Sequence, residues 1–123
     1  MRALIVEESK TLKAEVKGAL IKAGFQVLEC RNSAEGLDLL QDPGGVDLAL
    51  VDWELPEADG LRFALGLRSV RRFDAIRLVM LAQRPSTAVI LEAVRLGVDD
   101  CLVKPFTRKQ LIEKLAQIHL VKS

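Results

Sequence analysis

Five short apolar runs alternate with five stretches of helical periodicity along this chain, and few folds accept that order. The runs are Ala3-Leu4-Ile5-Val6, Val27-Leu28, Leu48-Ala49-Leu50-Val51, Leu78-Val79-Met80-Leu81 and Cys101-Leu102-Val103. Unbroken apolar runs bounded by turn residues read as strands buried on both faces. Between the first two, Lys10–Ala23 carries Leu12, Val16, Ala19, Leu20 and Ala23 at helical spacing and stops at Gly24. Asn32 and Glu35 have capping-box spacing ahead of Leu37, Leu39 and Leu40, and Pro43-Gly44-Gly45 ends that helix. Asp59-Gly60 reads as a turn before a helix over Leu61–Ser69. A fourth helix is expected from Ser86 to Leu96, ending at Gly97; a fifth, capped by Thr107 and Gln110, carries Leu111, Ile112, Leu115 and Ile118. Strict alternation implies right-handed crossovers and a five-stranded parallel sheet covered on both faces, a doubly wound α/β domain.

At 123 residues the chain supports one hydrophobic core, so residues 1–123 are expected to form a single domain without an attached output domain. No apolar stretch approaches a membrane span, and the N-terminus lacks a secretory pattern, which predicts a cytoplasmic protein with no membrane partner. His119 is the only histidine, which argues against multi-histidine metal sites and a Ser-His-Asp triad. Cys30 and Cys101 have neither metal-ligand spacing nor disulfide density and read as small buried apolar residues. Net charge is +1, so nucleic acid is not an expected partner, despite the local cluster Arg68, Arg71, Arg72 and Arg77.

The charges at the strand ends carry the functional signal. Asp52 closes the third apolar run, and Glu7-Glu8 follow the first. In a parallel sheet these project from the C-terminal edge, where ligands bind. Ala82 and Lys104 end the fourth and fifth runs at the same edge. Three carboxylates beside one ammonium repel one another, by roughly 1 kcal/mol per pair at 4 Å in water and more where water is scarce. A divalent cation relieves that repulsion, and magnesium suits oxygen ligands. An Asp beside a cation and a Lys is well placed to accept a phosphoryl group.

The order and separation of these pieces resemble a response-regulator receiver domain of the chemotaxis-regulator type, over nearly the whole chain. The pieces are the acidic pair Glu7-Glu8, Asp52, the segment Asp52-Trp53-Glu54-Leu55-Pro56 to Asp59-Gly60, and Lys104-Pro105-Phe106. The resemblance implies a (βα)5 flavodoxin-like sheet of order 2-1-3-4-5, and two-component phosphorelay signalling in place of enzymatic activity. It makes Asp52 the phosphoacceptor, with a histidine kinase or phosphotransfer protein as donor. Mg2+ would be held by Glu8, Asp52 and the backbone carbonyl of Glu54, with Glu7 acting through water and Lys104 pairing with the phosphoryl oxygens. It also implies a cis Lys104–Pro105 peptide.

The sequence departs from the family pattern at the site. Glu7-Glu8 stand where at least one Asp is usual; each extra methylene moves a carboxylate outward by about 1.5 Å and weakens metal binding. Ala82 replaces the hydroxyl residue of the fourth strand, removing a hydrogen bond to a charged acceptor worth about 1.5–3 kcal/mol. Cys101 replaces the switch aromatic of the fifth. Glu54 and Arg84 occupy positions that tune phosphoryl lifetime, and a Glu54–Arg84 ion pair is one expectation, an Arg84 contact to the phosphoryl group the other.

Two readings therefore stand: a phosphoacceptor that signals by docking, and a phosphorylation-independent pseudo-receiver acting as a constitutive interaction module. A flavodoxin-type enzyme is disfavoured because Glu7-Glu8-Ser9-Lys10-Thr11 brings acids where a phosphate cradle would lie. In either reading the resemblance places the downstream protein on the fourth helix, fifth strand and fifth helix. Arg95, Asp99, Asp100 and Lys114 there are candidates for homodimer salt bridges, or are solvated charges.

Overall fold

The computed structural model describes residues 1–122. Its elements run β1 (Arg2–Val6), α1 (Lys10–Lys22), β2 (Gln26–Cys30), α2 (Ser33–Leu39), β3 (Leu48–Asp52), α3 (Asp59–Arg68), β4 (Arg77–Gln83), α4 (Thr87–Arg95), β5 (Asp100–Lys104) and α5 (Arg108–Gln117). All strand pairings are parallel and the sheet order is 2-1-3-4-5, the expected flavodoxin-like arrangement.

Successive residues of a strand face opposite sides of a sheet, and here the two sides form two cores. Leu4, Val6, Ala49, Val51, Leu78, Met80 and Ala82 pack with Phe63, Ala64, Leu67 and Ala93 of α3 and α4. Ala3, Ile5, Leu48, Leu50, Val79, Leu81 and Leu102 pack with Val16, Ala19, Leu20, Leu111 and Leu115 of α1 and α5. Every residue of β3, Asp52 included, is buried, as expected of a central strand.

The helix boundaries follow local chemistry. Ser9 caps α1, Ser86 caps α4, and Thr107 with Gln110 forms a complete capping box on α5. On α2 only half of the expected box forms. Asn32 accepts from Glu35 N at 2.9 Å, but the Glu35 carboxylate accepts from Arg31 N at 3.0 Å instead of from the cap residue. Asp59-Gly60 is not a turn but the first step of α3; the reversal lies earlier, in a 3-10 turn at Pro56–Ala58 where Glu57 and Ala58 both hold left-handed backbone (φ 59° and 58°). Gly60 is required there, because a Cβ would overlap the Asp52 carbonyl oxygen and press on the Trp53 backbone. The close approach packs the start of α3 against the end of β3. Among the described residues no helix is long and apolar enough to cross a membrane.

Candidate functional site

Three charged groups converge at the C-terminal edge of the sheet because of the two-residue period. Ala3 and Ile5 face α1 and α5, and Glu7 continues that parity past the end of β1; Leu48 and Leu50 lead to Asp52, and Leu102 leads to Lys104. Ala82 and Cys101 belong to the opposite parity and pack against the α3–α4 side. The two positions expected to report the state of the charged cluster thus start from the other face of the sheet.

Lys104 lies on β5, two strands from β3, and its flexible stem carries the ammonium past the end of β4. Its Nζ donates to Glu7 Oε1 at 2.8 Å and lies 3.2 Å from Asp52 Oδ1. Glu7 and Asp52 are 2 % and 7 % exposed. The second oxygen of Glu7 accepts from Ser9 N at 2.9 Å, so the start of α1 holds it in place. Asp52 Oδ1 also accepts from Glu54 N at 2.9 Å. Burial opposes the charge on Lys104, but the Glu7 hydrogen bond and the nearby Asp52 charge outweigh it and raise its pKa above the usual lysine value. The Lys104–Pro105 peptide is cis, as the resemblance implies.

The remaining expected site residues are placed differently from one another. Glu8 is exposed and points toward a surface groove lined by Asn32, Leu55, Pro56 and Asp59. Glu54 is also exposed, and its Oε2 accepts from Gln83 N at 2.6 Å. It forms no ion pair with Arg84 among the described residues; Arg84 is exposed with left-handed backbone, φ 43°. Gln83 was not visible as a site residue because only its backbone N–H takes part. The signal that finds it is positional: it lies two residues beyond Leu81, the register partner of Asp52.

Cys30 is buried, and desolvation pushes its thiol up to about 11; Cys101 is half-buried and its thiol is raised for the same reason. Neither is a candidate nucleophile. Of the charges considered for a dimer contact, Asp99 accepts from Arg68 at 3.1 Å and Leu78 N at 2.8 Å, and Asp100 pairs with Lys114 at 3.1 Å, all within one chain.

No three His, Cys, Asp or Glu side chains among the described residues are gathered closely enough to enclose a metal ion. The donor chemistry at the edge is nevertheless all oxygen: two buried carboxylates, the exposed carboxylate of Glu8 and a peptide carbonyl. That set fits a hard divalent cation that keeps several of its own waters, as magnesium does, and fits thiolate- or imidazole-seeking metals poorly.

Comparison with known proteins points to one family. Residues 3–116 match the model of the response regulator receiver domain. The chain is 33% identical over 116 residues to the chemotaxis protein CheY1 of Helicobacter pylori, covering 94% of each. It is 31% identical over 119 residues to a chemotaxis protein CheY homolog of Campylobacter jejuni, covering 96% of this chain and 92% of the relative. The structure of Vibrio cholerae chemotaxis protein CheY4 superposes with a TM-score of 0.88 at 25% identity, covering 95% of this chain and 97% of that one. With the family match, the relatives and the sheet order in agreement, the chain belongs to the response regulator receiver domains, as a chemotaxis-like member.

Proposed function

We propose that this domain receives a phosphoryl group on Asp52 from the phosphohistidine of a histidine kinase or phosphotransfer protein, and signals through protein contacts in the cytoplasm. The observation that carries the reading is a buried Asp52 with one oxygen already engaged and the other open. Oδ1 is held by Lys104 and Glu54 N, while no described hydrogen bond reaches Oδ2. Attack by Oδ2 on phosphorus forms the acyl phosphate as the P–N bond to histidine breaks and the imidazole leaves with that electron pair. Lys104 offsets the charge of the transferred group, and the Glu54 N–H holds the carboxylate in orientation. Glu7, tied to Ser9 N, holds Lys104 over Asp52. Glu8, Asp52 and the Glu54 carbonyl are the groups that would hold magnesium, with Glu7 reaching it through water. Bound magnesium supplies charge compensation for the phosphoryl oxygens.

The alternative, a phosphorylation-independent module, gives no reason for two buried carboxylates to share one ammonium. On the output side, Leu91 and Val94 of α4 and Val103 of β5 are large apolar residues about half exposed. Val103 also lines a groove with Cys101, Gln110 and Lys114 between β5 and α5, a surface suited to an amphipathic partner segment. Trp53 adjoins Asp52 and is the only tryptophan. Its fluorescence is expected to respond to magnesium, and then saturably to beryllofluoride or acetyl phosphate, in the wild type; the phosphoryl-mimic response should vanish in Asp52→Asn. A wild type that responds no differently from Asp52→Asn would contradict the proposal.

A further inference from the structure

The peptide N–H of Gln83 loses its strand partner where β3 ends. Leu81 O accepts from Trp53 N at 2.8 Å, so the peptide groups of residue 81 face β3. By the two-residue period those of Gln83 face the same way. But β3 has stopped at Asp52, so this N–H emerges beside the carboxylate with no strand to receive it. The Glu54 side chain takes it instead, at 2.6 Å, while the Glu54 N–H donates to Asp52 Oδ1 at 2.9 Å. One residue therefore has its donor on the Asp52 carboxylate and its own carboxylate on the facing donor.

A phosphoryl group on Asp52 brings three further oxygens into this space and needs donors for them. Ala82 offers none, which leaves the Lys104 ammonium and backbone N–H groups. We propose that the Glu54 carboxylate is a built-in competitor of the phosphoryl group, clasping Gln83 N–H in the unmodified protein and swinging into solvent when Asp52 is phosphorylated. The inference rests on the phosphoacceptor reading of Asp52. Glu54 is exposed, so its release disrupts no core packing, and repulsion from the phosphoryl charge favours it. The clasp also gives phosphate a moving part in a chain without the hydroxyl and aromatic pair. Gln83 leads through left-handed Arg84 to Ser86, the N-cap of α4, so a changed partner at Gln83 is passed directly to the output helix.

The test uses the full chain as wild type, Glu54→Gln and Glu54→Ala. Without magnesium or beryllofluoride, the Gln83 amide should be shifted downfield and protected from exchange in the wild type, and should exchange about tenfold faster in Glu54→Ala. At saturating magnesium, beryllofluoride should bind Glu54→Ala about tenfold more tightly than wild type, equivalent to about 1.4 kcal/mol. Glu54→Gln should fall between them, since a neutral amide oxygen accepts a weaker hydrogen bond. Equal beryllofluoride affinities across the three proteins, or a Gln83 amide indifferent to residue 54, overturn the clasp and leave the role of Asp52 standing. No binding by any of the three overturns the phosphoacceptor reading and the clasp with it.

Discussion

Replacing Lys104 with Met keeps much of the stem's volume and removes the charge that Glu7 and Asp52 share. The distances of 2.8 and 3.2 Å from Nζ put the two carboxylate oxygens within about 6 Å of each other. At an effective dielectric of about 20 their repulsion is then roughly 3 kcal/mol or more, and in the native protein the attraction of Lys104 for each, roughly 5–6 kcal/mol, outweighs it. Removing one partner of a buried charge cluster typically costs about 3–5 kcal/mol, roughly a fifth or more of the roughly 5–15 kcal/mol by which a domain is stable. Lys104→Met should therefore lower stability by about 3–5 kcal/mol at pH 7, measured by urea unfolding with Trp53 fluorescence. Adding Asp52→Asn should restore much of the loss, because one buried charge is gone. In the wild type the raised pKa of Lys104 means its contribution is fully present below about pH 10.4 and is lost as pH rises through the folded-state value. Lys104→Met should lack that alkaline limb. A loss under about 1 kcal/mol, or a double variant no more stable than Lys104→Met alone, would refute the shared-charge argument.

Other perturbations test neighbouring parts. Asp59 accepts from Ser33 N and Ser33 Oγ, both at 2.7 Å, and ties α3 to α2. Burial raises its pKa, but the Ser33 hydrogen bonds and Arg62 lower it further, for a net decrease. Asp59→Ala should cost about 1–3 kcal/mol near neutral pH, and the difference from wild type should shrink as pH falls below about 3.9, as acid unfolding curves would show. Gly60→Ala, which drives a methyl against the backbone at Asp52, should cost about 1–3 kcal/mol in thermal or urea unfolding. Ala82→Thr supplies the missing hydroxyl in a site that is 1 % exposed; it should tighten beryllofluoride binding about tenfold or more, while losing about 1–3 kcal/mol of stability to overpacking.

Much of this architecture was legible in the sequence because each strand buries both faces and each helix carries one apolar stripe. The strand runs left little freedom in Leu48–Asp52, and parity along them places Glu7, Asp52 and Lys104 on one side. What escaped the reading depends on backbone geometry. The left-handed pair Glu57-Ala58 carries no glycine, so nothing in composition marks the reversal there, and Asp59-Gly60 has the composition of a turn although its glycine serves a close backbone approach. The Glu54 partner was missed for the same reason: a side-chain charge suggested Arg84, whereas the stronger attraction is a peptide N–H orphaned by the end of β3. The acidic pair also divides in a way that its sequence does not mark, with Glu7 buried and bonded through both oxygens and Glu8 exposed.

The central claim is that Asp52 forms an acyl phosphate. Intact mass of the full chain after incubation with acetyl phosphate and magnesium, with the modified residue located by fragmentation after borohydride trapping, tests it directly. One added phosphoryl group is expected on Asp52, unstable as acyl phosphates are, and none on Asp52→Asn. An unmodified wild type, or a phosphoryl group on any other residue, would contradict it.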